Sequence, residues 1–199
     1  MTAYTINLKP VIDMTDQQFY QLCQTNPELK FERSPQGELI IMSPTGGETG
    51  NRNIEIAGEF VFWNRQHQLG KLFDSSTCFR LPNGGDRSPD VAWIRQDRWD
   101  TLTPAEKESF PPIAPDFVLE LMSPSDRLPD TQSKMQEYRQ SGVQLGWLID
   151  GLRPAIGNRK TRRVEIYRAS SPVEVLNSPS RLSGEAVLPG FCLDLAIVW

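Results

Sequence analysis

Residues 115–150, PDFVLELMSPSDRLPDTQSKMQEYRQSGVQLGWLID, contain the pattern that decides the fold. Two short apolar runs, at 117–122 and 145–150, are bounded by turn residues and predict two buried strands. The polar segment 123–130 predicts a loop, and residues 131–141 predict an amphipathic helix between the strands. Because parallel strands need a long crossover, which is usually helical, the stretch predicts a parallel β-α-β unit.

Two acidic residues stand at predicted core strands. Glu120 is the only charged residue within the strand 117–122, and Asp90 directly precedes an apolar strand at 91–94. A carboxylate is costly to bury unless it is paired or bound to a metal, so both residues are candidates for a functional site. The alternatives are an edge strand on which Glu120 faces water, and a turn in which Asp90 follows Pro89.

The rest of the chain adds a hairpin and a long helix. Residues 29–33 and 38–42 flank a turn at 34–37 and predict the hairpin. Residues 48–68 carry apolar side chains at helical spacing, and Gly70 is the predicted C′ residue that ends this helix. We therefore predict one α/β domain over residues 1–199. Its mixed central sheet is flanked by the long helix on one face and by the helix 131–141 on the other.

Composition and charge restrict the environment and the partners. The chain is 38% hydrophobic and 23% charged, has no apolar run long enough to span a bilayer, and begins with MTAYTINLKP, which lacks a secretory signal pattern. These features predict a cytoplasmic protein without a membrane partner. A net charge of -4 gives no global attraction to nucleic acid, so such a partner needs a local basic patch or bound cations.

The densest basic segment lies near the C-terminus. It contains Arg159, Lys160, Arg162 and Arg163 within the loop 157–163. Side chains of this kind bind phosphates, so we predict that they contact nucleic acid at the rim of the site. The alternative is an ordinary solvated hairpin.

If their strands are neighbours, Asp90 and Glu120 can converge on one Mg²⁺, which takes a few oxygen ligands and retains waters. Such an ion polarises a phosphate and lowers the pKa of an attacking water. A lysine would add positive charge where negative charge develops. Met122 stands two residues after Glu120, so the nearby lysine is Lys134 in the next helix. The alternative for Lys134 is a solvated lysine paired with Asp130.

Three features follow one another along the chain: Pro89-Asp90, then Glu120-Leu121-Met122, then Lys134. They occur together with SPTGG at 43–47, SPDVAWI at 88–94 and the stretch 115–150. This combination resembles the PD-(D/E)xK restriction-endonuclease-like superfamily. Within it the chain is similar to the Uma-two-type endonuclease family. The resemblance implies a restriction-endonuclease-like fold in which Asp90, Glu120 and the backbone carbonyl of Leu121 bind Mg²⁺, or Mn²⁺ in its place. It also implies that Glu48, in the long helix, assists metal binding. Lys134 would replace the lysine that the parent motif has at the position of Met122. The alternative for Glu48 is a favourable interaction with the helix dipole.

The resemblance further implies a function. It predicts a metal-dependent endonuclease that hydrolyses nucleic-acid phosphodiester bonds, with DNA as the expected substrate, and a homodimer whose two sites address two strands. Two alternatives stay open. One is a catalytically silent nucleic-acid-binding or protein-interaction module, which Met122 and the acidic net charge favour. The other is a hydrolase of small phosphoesters, which needs the same acids in a closed pocket.

Overall fold

The chain folds into strands and helices whose bounds come from a computed structural model, which describes residues 3–9, 11–154 and 160–199. The elements follow one another in this order: β1 (Ala3–Ile6), α1 (Asp16–Thr25), β2 (Lys30–Arg33), β3 (Leu39–Met42), α2 (Gly47–His67), β4 (Gly70–Asp74), β5 (Phe79–Arg80), β6 (Asp86–Arg87), β7 (Val91–Arg95), α3 (Gln96–Asp100), α4 (Pro104–Glu108), β8 (Phe117–Leu121), α5 (Leu128–Gln140), β9 (Leu145–Pro154), β10 (Lys160–Arg168), β11 (Glu174–Asn177), β12 (Arg181–Ser183), β13 (Cys192–Asp194) and a 3-10 helix (Leu195–Ile197). None of the helices within these described ranges is long and apolar enough to cross a lipid bilayer.

The central sheet has six strands in the order β11-β10-β9-β8-β7-β4. Strands β8 and β9 are parallel and α5 connects them, which confirms the predicted β-α-β unit. Helix α5 begins at Leu128 rather than at residue 131, because Pro129 in its first turn has no N–H that the helix would need to satisfy. The other strand pairs are antiparallel, so the sheet is mixed as predicted.

Two apolar layers cover the two faces of this sheet. On one face, α2 packs Ile56, Phe60 and Trp63 against Phe117 and Trp147 of the sheet. The ring centroids of Phe60 and Phe117 are 5.2 Å apart. On the other face, α5 packs against the sheet through an apolar cluster that includes Met135, Tyr138, Ala92, Val118 and Leu148. The predicted placement of the two helices on opposite faces is confirmed.

The hairpin belongs to a second sheet, which the sequence did not predict. Strands β2 and β3 pair antiparallel with Arg33 opposite Leu39, as expected for the predicted hairpin. They lie within a five-stranded sheet in the order β1-β3-β2-β6-β5. Strands β5 and β6 contain only two residues each, so they have no periodic pattern from which a strand can be predicted.

Helix α2 ends within one residue of the predicted position 68, but the predicted role of Gly70 as its C′ residue is wrong. Helix α2 ends at His67, and Gln68 takes the left-handed conformation with φ 51°. Gly70 instead begins β4, where a Cβ atom would collide with the backbone carbonyl oxygen of Ile94. The glycine is therefore required by a close backbone approach and not by a positive φ.

Phe60 and Phe62 allow a matched test of the layer under α2. Phe60 is fully buried, whereas Phe62 on the same helix is 65% exposed. We expect Phe60→Ala to lower the free energy of unfolding by about 3–5 kcal/mol, because it removes a large apolar group and leaves a cavity. Phe62→Ala should change the free energy by less than about 0.5 kcal/mol. Urea denaturation measures both values, and equal losses would contradict the packing described.

Candidate active site

Asp90 and Glu120 meet where β7 and β8 pair. The register places Val91 opposite Leu119, and its continuation by one residue places Asp90 opposite Glu120. Residues directly opposite in an antiparallel pair have Cβ atoms about 4.5–5.5 Å apart. Asp90 Oδ2 also accepts a hydrogen bond of 2.8 Å from the backbone N–H of Leu121. The two carboxylates are thus brought together, and both residues are buried.

Lys134 lies between two carboxylates from different sheets. Its Nζ is 2.8 Å from Glu120 Oε1 and 2.9 Å from Glu32 Oε1. Tyr138 is one turn further along α5, and its hydroxyl donates a hydrogen bond of 2.9 Å to Glu120 Oε1. Only 13% of the Lys134 side chain is exposed, so Lys134 is not the solvated partner of Asp130 that the alternative interpretation required.

Glu32 connects Lys134 to further charged residues of the five-stranded sheet that contains the hairpin. Its Oε2 is 3.1 Å from Arg87 Nη1, and its Oε1 accepts a hydrogen bond of 3.0 Å from the backbone N–H of Ser88. Arg87 in turn forms an ion pair with Glu137 of α5. Glu32, Arg87 and Glu137 therefore join β2, β6 and α5 through buried charges.

The pKa values reflect this distribution of charge. Burial alone would raise the pKa of Glu32, but attraction to Lys134 and Arg87 outweighs burial and lowers the pKa to about 2. Burial raises the pKa of Glu120 to about 7. The positive charge of Lys134 lowers this pKa, whereas the negative charges of Asp90 and Glu32 raise it. For Lys134, attraction to Glu120 and Glu32 outweighs burial and raises its pKa above the ordinary value. Glu120 is thus the carboxylate that most needs additional positive charge to stay ionised.

The ionic cluster fits a divalent cation. It contains four acidic and two basic side chains: Asp90, Glu120, Glu32 and Glu137 with Lys134 and Arg87. When all are ionised, a negative charge of about two remains, which a divalent cation neutralises. Within the part of the chain that the structure describes, no group of three or more His, Cys, Asp or Glu is placed to hold a metal. Within the same described residues, Asp90 and Glu120 are the two carboxylates that stand opposite each other where β7 begins and β8 ends, and a site with few protein oxygens suits a hard cation that keeps several waters.

The carboxylates and Lys134 line a cleft of about 880 Å³. Residues of the hairpin, including Ser34 and Glu38, form one wall. The loop after β8 and the first turns of α5, including Arg127 and Gln132, form another. Because polar groups line both walls around the acids, the cleft can receive a charged, polar substrate.

Glu48 lies apart from this cleft. Its side chain is 89% exposed, and its carboxylate is 3.6 Å from Arg52 on the same helix. From α2, Asn53 contacts the site: its Nδ2 donates a hydrogen bond of 3.2 Å to Asp90 Oδ1. The structure therefore does not bring Glu48 to Asp90, and the assisting role predicted for Glu48 stays a prediction.

The basic segment falls partly outside the described structure. Arg159 lies outside the described residues, and only the backbone of Lys160 is described, at the start of β10. The Arg162 guanidinium lies over the Trp199 ring at 5.5 Å from its centroid. Arg163 is 2.6 Å from Glu165. Of the two described side chains, Arg163 is already neutralised by a carboxylate.

Sequence reasoning missed Glu32, Arg87 and Asn53. A charged residue in a short hairpin is usually solvated, and nothing in the sequence shows that β2 is covered on both faces. One signal was available for Arg87, because it stands three residues before Asp90 in a segment already identified as leading to the site. For Tyr138, helical spacing indicates only that it neighbours Lys134 on the same helix face.

Glu32 allows a test of the ionic cluster by pH. Because its pKa is lower in the folded state than the ordinary 4.5, Glu32 stabilises the fold above about pH 4.5, and this contribution is lost as the pH falls toward 2. We expect Glu32→Gln to lower the free energy of unfolding by about 3 kcal/mol at pH 7. The deficit should shrink as the pH falls from 5 to 3, as measured by urea denaturation. Glu59→Gln, an exposed change on α2, is the control. A deficit that stays constant with pH would contradict the role of the Glu32 charge.

Comparisons with known proteins identify the family and the fold. Residues 16–196 match the family model of Uma2, described as "Putative restriction endonuclease". Among solved structures, the chain is similar to a crystal structure of a "putative nuclease belonging to DUF820" from Anabaena variabilis ATCC 29413, with a TM-score of 0.72 and 19% identity over 94% of this chain and 97% of that chain. At this identity the likeness shows a shared fold. No curated protein matches the chain. The match over residues 16–196 shows that the chain belongs to the Uma2 family of restriction-endonuclease-like proteins.

Proposed function

We propose that the chain is a metal-dependent endonuclease that hydrolyses nucleic-acid phosphodiester bonds. The observation that carries the proposal is the placement of Asp90 opposite Glu120, with Lys134 Nζ at 2.8 Å from Glu120. Membership of the Uma2 family supports a nuclease. The proposed substrate is DNA, because the family description names a restriction endonuclease. One catalytic domain over residues 1–199, a cytoplasmic location and a homodimer whose two sites act on two strands belong to the same proposal.

Asp90, Glu120 and the backbone carbonyl of Leu121 would hold Mg²⁺, with Mn²⁺ as a substitute. When bound, such an ion polarises a phosphate oxygen and lowers the pKa of an attacking water. The chain's own part is to fix the ligands before the substrate arrives. The Leu121 N–H holds Asp90 at 2.8 Å, and the Tyr138 hydroxyl holds Glu120 at 2.9 Å.

Lys134 supplies positive charge beside the same carboxylate. Its ammonium group stays protonated at neutral pH because Glu120 and Glu32 raise its pKa. A fixed positive charge in a partly water-excluded cleft stabilises the negative charge that develops on a phosphate during hydrolysis. Glu32 keeps Lys134 in place if Glu120 turns toward a cation, because Lys134 Nζ is also 2.9 Å from Glu32.

A second candidate is a catalytically silent nucleic-acid-binding or protein-interaction module. One observation favours it: two carboxylates already satisfy Lys134, which leaves less of its charge for a phosphate. A ligand that binds only the folded state raises its melting temperature. A silent module without a cation site would therefore show no increase with Mn²⁺ that depends on Asp90 and Glu120.

Asp90→Asn and Glu120→Gln test the proposal directly. Each keeps the size of the side chain but removes a charge that would hold the cation. We expect each change to reduce Mg²⁺-dependent cleavage of plasmid DNA roughly 100-fold or more, and to abolish the increase in melting temperature with Mn²⁺. Asp130→Asn is the control, because Asp130 also lines the cleft but is exposed and lies apart from the ionic cluster. Full cleavage by Glu120→Gln would remove the central assignment.

The basic segment 157–163 is tested by charge reversal. If Lys160 and Arg162 contact phosphates, the double variant Lys160→Glu with Arg162→Glu should weaken DNA binding. It should also flatten the slope of log affinity against log salt by roughly one unit for each phosphate that the variant no longer binds. The control is Lys71→Glu, because Lys71 is an exposed residue of β4. Fluorescence anisotropy at several salt concentrations measures both quantities, and equal slopes for all three proteins would contradict the proposed interaction with phosphates.

A further inference from the structure

Asn53 connects helix α2 to the carboxylate pair. It lies in the second turn of α2 and is half-buried. Its Nδ2 donates a hydrogen bond of 3.2 Å to Asp90 Oδ1. Asp90 Oδ2 is already occupied by the backbone N–H of Leu121 at 2.8 Å. Donors from two separate elements therefore fix the two oxygens of Asp90 and set the direction in which the carboxylate faces.

The contact with Asp90 also fixes the orientation of the Asn53 amide. A carboxylate only accepts hydrogen bonds, so the amide must turn its nitrogen toward Asp90. The Asn53 Oδ1 atom then becomes buried, and among the described residues it has no hydrogen-bond donor. Buried amide oxygens are almost always hydrogen-bonded to protein or ordered water, or bound to an ion, so this acceptor is open to a partner that the described residues do not supply.

Asn53 therefore combines two properties of a residue at a cation site. Groups that hydrogen-bond a metal-binding carboxylate orient it and affect how tightly the metal binds. Amide oxygens of Asn are themselves among the oxygen ligands that hard divalent cations accept. Glu48, in contrast, is 89% exposed and lies one turn closer to the start of α2.

We propose that Asn53 belongs to the divalent-cation site, where its Nδ2 positions Asp90 and its Oδ1 faces the cation as a further oxygen acceptor. This inference rests on the proposed function and deepens it. Helix α2 then contributes to the site through an uncharged amide rather than through the carboxylate of Glu48. A third carboxylate at this position would repel Asp90 and Glu120 when no cation is present.

Two substitutions separate this role from a purely structural one. Asn53→Leu keeps the approximate size of the side chain and removes both polar atoms, so Mn²⁺ should bind about 10–100-fold more weakly. Asn53→Asp adds a negative charge, so it should lower the melting temperature without Mn²⁺ and at the same time tighten Mn²⁺ binding. If position 53 lay away from the cation, the added charge would leave Mn²⁺ binding unchanged.

The experiment is isothermal titration of Mn²⁺ into the full chain, combined with thermal unfolding with and without Mn²⁺. Asn51→Leu is the control, because Asn51 is exposed on the same helix, and it should bind Mn²⁺ like the wild type. Equal Mn²⁺ affinity of Asn53→Leu and the wild type would overturn the inference and leave the proposed function standing. If the wild type itself binds no Mn²⁺, both fail. If Asn53→Leu does not fold, Asn53→Asp decides, and unchanged or weaker Mn²⁺ binding by that variant overturns the inference.

Discussion

The structure depends on one buried ammonium group held between two carboxylates. Lys134 of α5 contacts Glu120 of the six-stranded sheet at 2.8 Å and Glu32 of the five-stranded sheet at 2.9 Å. Buried charges are stable only when they are paired, so in the absence of a cation Lys134 holds both carboxylates in place. The same contact therefore joins the two sheets and fixes the positions of Glu32 and Glu120, which both line the cleft. Stability and the arrangement of the candidate active site rest on the same atoms.

The ionic cluster is also left with more acid than base, and this excess connects the fold to the proposed chemistry. The positive charges of Lys134 and Arg87 keep Glu32 ionised and lower its pKa to about 2. They do not offset the burial of Glu120, whose pKa is raised to about 7. Acids whose pKa is raised by burial and by neighbouring charges are common at functional sites. In the proposed function, Glu120 and Asp90 receive positive charge from a divalent cation, which matches carboxylates in charge and in donor type.

The sequence predicts those parts of the molecule that local pattern controls. The two apolar runs around α5 predict β8 and β9 because burial on both faces requires nearly continuous hydrophobic strands. Helical spacing predicts that Lys134 and Tyr138 lie on one face, and the structure brings both to Glu120. The pairing of Asp90 with Glu120 requires that their strands are adjacent, which β7 and β8 are. The contributions of Glu32 and Asn53 could not be predicted, because each depends on how a remote element packs onto the central sheet. Nothing in the hairpin or in the polar start of α2 shows which side chain faces inward.

We propose that Asp90 and Glu120 bind one cation together. Anomalous diffraction from a crystal soaked in Mn²⁺ tests it most directly, because the signal identifies the ion and its position at once. We expect a single strong peak roughly 2 Å from oxygens of both carboxylates, with the Lys134 ammonium still in contact with Glu32. A peak elsewhere on the chain, or no peak while both carboxylates keep their present partners, would contradict it.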